Sequence, residues 1–149
     1  MVAALILTGC ATGDFTTNER PEIPPRFDRV VLMGCYDGDT CTFDIAEIPL
    51  FGRSAPVRLL GIDAPEIRGR CPEEIAAAER ARDALLSRLR AAGRVDLVGV
   101  AGLDKYRRIL ARVQADGEDM SAWLITRHLA RPWEGHRYQR WCGPGGGLK

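Results

Sequence analysis

The chain has 149 residues, which suits one compact domain and leaves little length for a second. Hydrophobic residues make up 46% and charged residues 28%, the balance of a folded protein, so disorder throughout the chain is excluded. The net charge of +1 does not by itself indicate a polyanionic partner. All but two of the 21 basic residues are Arg, which suits phosphate binding but is equally typical of a GC-rich genome.

The first ten residues are apolar and uncharged, and they are too few to cross a bilayer as a helix. They predict the hydrophobic end of an export signal. The stretch Leu7-Thr8-Gly9-Cys10 resembles the bacterial lipoprotein cleavage box, in which the cysteine becomes acylated. Cys10 is therefore the expected lipidation site, and the expected location is outside the cytoplasm, anchored or secreted. A chance Leu-x-Gly-Cys at a frayed terminus is the alternative.

The remaining chain divides into three parts by composition. Residues 11–26 contain three prolines and predict a flexible tether. Residues 27–142 form the expected folded domain, and the glycine-rich residues 143–149 predict a disordered tail.

Cysteine parity supports export, because setting Cys10 aside leaves four cysteines of the five. Cys35 and Cys41 flank a turn, which favours a disulfide across a hairpin. Cys71 and Cys142 would then tie the loop before the first helix to the C-terminal end. None of the spacings fits a zinc site, and four buried reduced thiols are the alternative.

The first half of the domain predicts three strands, at residues 29–33, 40–45 and 56–63. Asp37-Gly38 is a turn signal between the first two strands, so these form a hairpin. Pro72, Glu73 and Glu74 then open a helix that ends at Gly93. Its charges, including those of Glu73 and Glu74, indicate a solvated face.

Two further strands are expected at residues 95–100 and 108–114, followed by a second helix over residues 119–130. The apolar side of that helix consists of Met120, Trp123, Leu124 and Leu129. Five short strands with an interposed helix favour an α+β, mainly β fold. The expected architecture is a five-stranded Greek-key barrel of the oligonucleotide-binding (OB) type with two to three packed helices.

Three polar clusters stand where predicted strands end. They are Asp37-Gly-Asp39-Thr40, Arg58-Leu-Leu-Gly-Ile-Asp63-Ala-Pro-Glu66 and Asp104-Lys-Tyr-Arg-Arg108. In this order, with a helix between the second and third, they resemble the staphylococcal nuclease (thermonuclease) family. The resemblance runs from about residue 30 to residue 133, and it implies a calcium-dependent nuclease acting on DNA and RNA.

The resemblance implies a role for each cluster residue. Asp39, Asp63 and the main-chain carbonyl of Ala64 would hold Ca²⁺, which prefers several oxygen ligands. Glu66 would be the general base that orients or deprotonates the attacking water. Arg58 and Arg108 would be the catalytic cations that grip the phosphate as charge builds up on its oxygens.

Lys105 and Tyr106 match family positions that contact a terminal phosphate of the bound nucleotide. A solvated loop is the alternative for these two residues. Asp39 could otherwise be a turn residue, Asp63 and Glu66 a strand-end cap, and the two arginines surface cations. Single-stranded substrate is expected, because such barrels engage exposed strands through backbone charge and base stacking.

The sequence also departs from the family pattern. Arg107 and His128 stand where the family has glycine, and both substitutions would strain the backbone if those glycines have positive φ. Glu134 stands where an aromatic residue usually lines the nucleotide pocket. Trp133 or Tyr138 is the candidate replacement for base stacking, and either could instead be a packing residue.

The function expected from these residues is a monomeric, Ca²⁺-dependent endo- or exonuclease outside the cytoplasm. One alternative is a catalytically inactive barrel that binds nucleic acid or protein. The other is a structural envelope lipoprotein, which would explain Cys10 but would leave the polar clusters without a role.

Overall fold

The computed structural model describes residues 23–46, 48, 53–133, 135 and 140–144. The predicted signal segment with Cys10, most of the tether and the end of the tail lie outside these residues. Within them the elements are β1 (Arg26–Phe27), β2 (Val31–Cys35), β3 (Thr40–Asp44), β4 (Ala55–Leu59), β5 (Ile62–Asp63), α1 (Pro72–Ala91), β6 (Val95–Val98), β7 (Ile109–Ala115), β8 (Glu118–Asp119), α2 (Met120–Thr126) and β9 (Arg131–Pro132).

Most of the strands belong to one mixed seven-stranded sheet with the order β1-β6-β7-β4-β3-β2, in which β8 also pairs with β7. The β4–β7 pair is parallel, whereas β2–β3, β3–β4 and β6–β7 are antiparallel. Alternate side chains of the central strands point into one core, as the two-residue period of a strand requires. The α+β, mainly β fold predicted from the sequence is confirmed, with two helices against the sheet.

The predicted first hairpin is present between β2 and β3, and Cys35 is the register partner of Cys41. A disulfide joins these two cysteines, as expected from their position on either side of the turn. The strand positions differ slightly from the prediction, because β2 begins at Val31 and runs to Cys35. Strand pairing already begins before the hairpin, because Arg26 in β1 is the register partner of Val98 in β6.

The single strand predicted over residues 56–63 is two strands. The backbone of β4 ends at Leu59, and Gly61 has a φ of +82°, which breaks the extended conformation. The chain then re-enters an extended conformation in β5, which pairs with β9 through Ile62↔Pro132 and Asp63↔Arg131. This short second sheet brings a late segment of the chain beside Asp63.

The predicted helix α1 is present, with Pro72 in its first turn and basic residues in its last. Its small and leucine side chains, including Ala78, Ala81 and Leu85, are buried against the sheet. The interpretation of Glu74 as part of a solvated face is wrong, because only 1% of this residue is exposed. The Arg70 backbone N–H donates to the Glu74 carboxylate at 2.8 Å, and this bond holds the Glu74 side chain at the first turn of the helix.

Helix α2 ends at Thr126, four residues before the predicted end. The backbone N–H of His128 donates to Ile125 O, and that of Leu129 donates to Leu124 O. These two bonds form a Schellman motif, in which His128 takes the left-handed conformation with a φ of 57°. Met120 and Leu124 are buried as expected. In the part of the chain that the structure describes, no helix combines the length and apolar character needed to cross a membrane.

Candidate active site

The turn between β2 and β3 lies directly against α1. A Cβ atom on Gly38 would come within 2.7 Å of Ala81 Cβ and 2.9 Å of Ala64 Cβ, so only glycine fits here. The flanking acids, Asp37 and Asp39, are both buried. The Asp39 backbone N–H donates to Asp37 Oδ1 at 3.1 Å, which closes the turn. The first polar cluster is therefore rigid and internal, and it is more than a surface turn.

Strand pairing brings the three clusters to one end of the sheet. Thr40 and Arg58 are register partners, so the first cluster lies beside the second. Val57 and Ile109 are partners in the parallel pair β4–β7, which places Arg108 at the same end. The three clusters are far apart in the sequence, but the register of the strands makes them adjacent in the fold.

The Asp39 carboxylate is the most enclosed group of the site, with 1% of the residue exposed. Its Oδ1 atom forms an ion pair with Arg58 and accepts a hydrogen bond from Thr40 Oγ1 at 3.1 Å. Its Oδ2 atom accepts a bond from the Ala64 backbone N–H at 2.9 Å. The two Asp39 oxygens thus tie the turn to β4 and to the residue after β5.

Asp63 ends β5 and is half-buried. Its Oδ1 atom lies 4.0 Å from Arg58 Nη2. Its Oδ2 atom accepts a hydrogen bond from the indole Nε1–H of Trp141 at 3.2 Å. Asp39 and Asp63 therefore share Arg58 between them. Neither this pairing nor the contact with Trp141 was predicted from the sequence.

Glu66 lies three residues after Asp63 and is also half-buried. Its carboxylate makes no hydrogen bond or ion pair with another described residue. Burial raises the pKa of this carboxyl, the charge of Asp37 raises it further, and Arg58 counteracts both. Such a group is suited to accept a proton from water, since its basicity is higher than that of an ordinary surface carboxylate.

The other two carboxylates show the same electrostatic pattern. Burial raises the pKa of Asp39, with Arg58 acting in the opposite direction and Asp37 adding to the increase. Burial also raises the pKa of Asp63, while Arg58 and the Trp141 hydrogen bond lower it. Burial is the first cause of the raised pKa at each of these carboxyls, and an added cation would counteract it by favouring the charged form.

The donor set defines which cation fits. Asp39 and Asp63 offer hard carboxylate oxygens, and neither His nor Cys thiolate stands beside them among the described residues, so Ca²⁺ or Mg²⁺ fits better than zinc. Ala64 is buried next to Asp63 in the chain, and its backbone N–H donates to Asp39. The assignment of its carbonyl as a third ligand stays a prediction.

Arg108 belongs to a tight loop that begins at Asp104. The Asp104 carboxylate accepts bonds from the Arg108 backbone N–H at 2.9 Å and from Arg108 Nε at 2.8 Å. It also accepts a bond from the Tyr106 backbone N–H at 2.9 Å. On its other side, Arg108 Nη1 donates to Thr40 Oγ1 at 3.2 Å. The Asp104 carboxylate thus orients the Arg108 guanidinium toward the first cluster.

The loop also explains one departure from the family pattern. Arg107 has a φ of 63°, the conformation that glycine adopts without strain. Both Arg107 and His128 have positive φ, so the condition under which these substitutions strain the backbone is met. Arg107 itself is exposed, as are Lys105 and Tyr106, and 65% of Tyr106 is accessible. The Lys105 ammonium lies 4.9 Å from the centre of the Tyr106 ring.

An open cleft of about 530 Å³ joins these groups. Glu66, Arg58 and Arg108 face it from three different segments, and Tyr106 and Trp133 provide two exposed aromatic side chains at its border. Trp133 is thus a candidate for base stacking, as expected, whereas Glu134 and Tyr138 lie outside the described residues. The remaining lining residues are Leu59, Leu60, Gly61, Ile62, Asp104 and Leu110.

The second predicted disulfide, Cys71–Cys142, is also present. It joins the residue that precedes α1 to the C-terminal segment that carries Trp141. Glu74 Oε2 lies 3.2 Å from Cys142 Sγ, but both sulfurs belong to the disulfide and neither can serve as a thiolate ligand. Trp141 could have been suspected from the sequence, because it precedes a cysteine that was expected to pair near the second cluster.

Two comparisons with known proteins bear on this geometry. A search among curated proteins found no match. The family model described as "Staphylococcal nuclease homologue" matches residues 56–140, which is more than half of the chain and contains Arg58, Asp63, Glu66 and Arg108. The first cluster precedes the matched range, and β-pairing brings it beside the matched residues. The chain therefore belongs to the staphylococcal nuclease homologue family.

Proposed function

We propose that the protein is a Ca²⁺-dependent nuclease that hydrolyses phosphodiester bonds of DNA and RNA. One observation carries the proposal: Arg58, Arg108 and Glu66 face a single cleft, and Arg58 pairs with both Asp39 and Asp63. Two cations and a basic carboxylate directed at one open space are the groups that hydrolysis of a phosphodiester requires. A binding module would need the cations, but it would have no use for a partly buried, unpaired Glu66.

Asp39 and Asp63 would hold the metal ion, with the Ala64 carbonyl as a further ligand. The bound Ca²⁺ would supply Lewis-acid stabilisation of negative charge on the phosphate. The carboxylates contribute their fixed positions, since the hydrogen bonds to Asp39 and Asp63 limit how far either group can turn.

The arginines bind the phosphate from two directions. Arg58 is held by Asp39 and Arg108 is held by Asp104, so each guanidinium is oriented before substrate arrives. A planar guanidinium can donate two parallel hydrogen bonds to phosphate oxygens. These bonds strengthen as negative charge develops on the oxygens during in-line attack, which lowers the barrier.

Glu66 would orient the attacking water and accept its proton. The Glu66 carboxylate faces the cleft that Arg58 and Arg108 also line, and its pKa is raised above that of an ordinary glutamate. The exposed aromatic rings of Tyr106 and Trp133 would stack on unpaired bases. Single-stranded or frayed substrate is therefore the expected preference.

The test is cleavage of heat-denatured DNA by the full chain with Ca²⁺, with and without a chelator. We expect chelator-sensitive cleavage that falls by about 10²-fold or more in Glu66→Gln, by analogy with the loss of other catalytic acid–base groups. Glu79→Gln is the matched control, because Glu79 is exposed on α1 outside the cleft. Binding of DNA without cleavage at any divalent ion would favour the inactive binding module instead, and absence of binding would favour the structural lipoprotein.

We also propose that the protein acts outside the cytoplasm, anchored by a lipid on Cys10. Two disulfides support an oxidising compartment, where such bonds persist. Mass spectrometry of the native N-terminus should find acylated Cys10 as the first residue. Recovery of the native protein with Met1 intact would contradict the anchor.

A further inference from the structure

The contact between Trp141 and Asp63 is unusual in its chemistry. An indole N–H is a neutral group that can only donate, and here it donates to Asp63 Oδ2 at 3.2 Å. Only 7% of Trp141 is exposed, so water does not readily replace this bond. A charged donor would neutralise the carboxylate, whereas the indole fixes its orientation and leaves its charge for a cation.

Trp141 is held in place from two sides. The guanidinium carbon of Arg131 lies 3.7 Å from the centre of its ring, a cation–π distance. Arg131 is also the register partner of Asp63 in the β5–β9 pair, so the stacked residue and the carboxylate share one short sheet. On the other side, Cys142 follows Trp141 directly and is bonded to Cys71. The disulfide thus connects the indole to the start of α1.

The two Asp63 oxygens consequently have different surroundings. Oδ2 is engaged by the indole, and Oδ1 lies on the side of Arg58 and therefore of Asp39. The terminal torsion of an aspartate is broad, so a carboxylate without a second contact would turn easily. The indole removes that freedom and presents Oδ1 toward the other carboxylate.

From this geometry we propose that Trp141 is a positioning residue for Asp63, held in place by the Cys71–Cys142 disulfide. The inference rests on the proposed function in that Asp63 is taken as a ligand of Ca²⁺. Partners that orient a metal ligand through its second atom commonly change metal affinity or activity by about 10- to 100-fold when they are removed. Trp141 does not line the cleft, so its proposed effect acts through Asp63.

The first experiment measures binding of Ca²⁺ alone to the full chain by calorimetry, without nucleic acid. Trp141→Phe keeps a ring against Arg131 but removes the N–H donor, and we expect its Kd for Ca²⁺ to rise by about 10- to 100-fold. Trp123→Phe is the matched control. Trp123 is half-buried on α2, its ring lies 4.1 Å from the Arg127 guanidinium, and its N–H has no partner among the described residues. Its affinity for Ca²⁺ should match that of the wild type.

A purely structural role for Trp141 predicts a different result. In that case Trp141→Phe would lower the thermal stability while leaving the Kd for Ca²⁺ within about twofold of wild type, and the proposal would be overturned. The KM for denatured DNA should not change in Trp141→Phe, since the indole lies outside the cleft lining, and kcat should recover at saturating Ca²⁺.

The role of the disulfide is tested by the double variant Cys71→Ser/Cys142→Ser. We expect its Kd for Ca²⁺ to rise by a similar factor, and adding Trp141→Phe should cause little further change, because both variants remove the same contact. Fully additive effects would overturn the role of the disulfide.

If the wild type binds Ca²⁺ without cleaving DNA, the nuclease proposal fails, but the effect of Trp141→Phe on Ca²⁺ binding still decides whether Trp141 positions Asp63. If the wild type binds no Ca²⁺, the positioning role is overturned.

Discussion

The two sides of the cleft are built in different ways. On the carboxylate side, consisting of Asp39, Asp63 and Glu66, Asp39 is buried and fixed by three contacts, and the other two residues are half-buried. The arginine loop, residues 104–108, projects into solvent and contains one residue with a left-handed backbone. The groups proposed to hold a cation are thus positioned in advance by the fold. Arg108, proposed to bind a long polymeric substrate, lies on an exposed loop, which has room to receive it.

The largest expected effect is that of removing the buried acid. Asp39→Ala leaves the Ala64 N–H without its acceptor and Arg58 without its partner, so we expect the free energy of unfolding to fall by about 3 kcal/mol. Ca²⁺ should then no longer raise the unfolding free energy of the variant. Urea unfolding with and without Ca²⁺ measures both effects. A loss below about 1 kcal/mol would mean that the carboxylate side is not held together as the contacts indicate.

In the arginine loop we expect a substitution to lower the activity and to leave the stability nearly unchanged. Arg108→Ala removes a phosphate-binding cation from a partly exposed position, so we expect a fall of about 10²-fold in kcat with little change in stability. Arg108→Lys should recover only part of the rate, because an ammonium cannot donate two parallel bonds. Steady-state kinetics on denatured DNA and a thermal unfolding scan are sufficient. Arg112→Ala is the control, since Arg112 is exposed on β7 and pairs with Asp119 away from the cleft.

The contrast also separates what the sequence could predict from what it could not. The hairpin, α1 and the Cys35–Cys41 disulfide follow from local signals, namely a turn dipeptide, a proline in a first turn and two cysteines that flank the turn. The Cys71–Cys142 disulfide spans 71 positions and was predicted only as the pair that remains. The end of α2 and the break at Gly61 depend on single backbone conformations that periodicity does not record. The β5–β9 pair is only two residues long, and the Trp141–Asp63 bond spans 78 positions, so neither has a local pattern.

Burial of charge was the hardest property to predict. Glu74 belongs to a helix whose other acids are exposed, and its sequence context is the same as theirs. What distinguishes it is Gly69, where a Cβ atom would lie 2.6 Å from Glu74 Cγ. The glycine leaves room for the loop to fold over the first turn, an arrangement that only the three-dimensional structure shows.

A smaller effect is expected from relieving the strained backbone of the arginine loop. Arg107→Gly removes the cost of holding a side-chain-bearing residue at positive φ, so we expect a gain of about 1 kcal/mol in unfolding free energy. The gain is reduced slightly by the greater entropy of glycine in the unfolded chain. His128→Gly applies the same change at the end of α2, away from the loop, and it should give a similar gain. Chemical denaturation of both variants tests the pair.

The comparison between those two variants can also show whether Arg107 contacts substrate. If Arg107 only occupies a turn position, both variants should retain the wild-type KM for denatured DNA. A rise in KM in Arg107→Gly alone would mean that the loop has acquired a third phosphate contact. Neither result would alter the interpretation of the backbone strain, which depends on stability alone.

The smallest expected effect is a change in the stability of the arginine loop at low pH. Burial alone would raise the pKa of Asp104, but the Arg108 backbone N–H and guanidinium together outweigh it and lower the pKa below its ordinary value. The carboxyls of Asp63 and Glu66 are shifted in the opposite direction. A carboxyl with a lowered pKa stabilises the fold above its unfolded pKa, about 3.9 for Asp, and this contribution is lost as pH falls through the folded value.

We therefore expect Asp104→Asn to be less stable than wild type at about pH 6, with the difference shrinking as the pH falls below about 3.9. The difference should stay below about 1 kcal/mol, because the ion pair with Arg108 is partly open to solvent. Urea unfolding across this pH range, with chelator present, isolates the loop from any metal. A difference that grows in acid would contradict the assignment of Asp104 as the carboxylate that fixes the loop. It would also remove the physical reason for Arg108 to point toward the cleft before substrate binds.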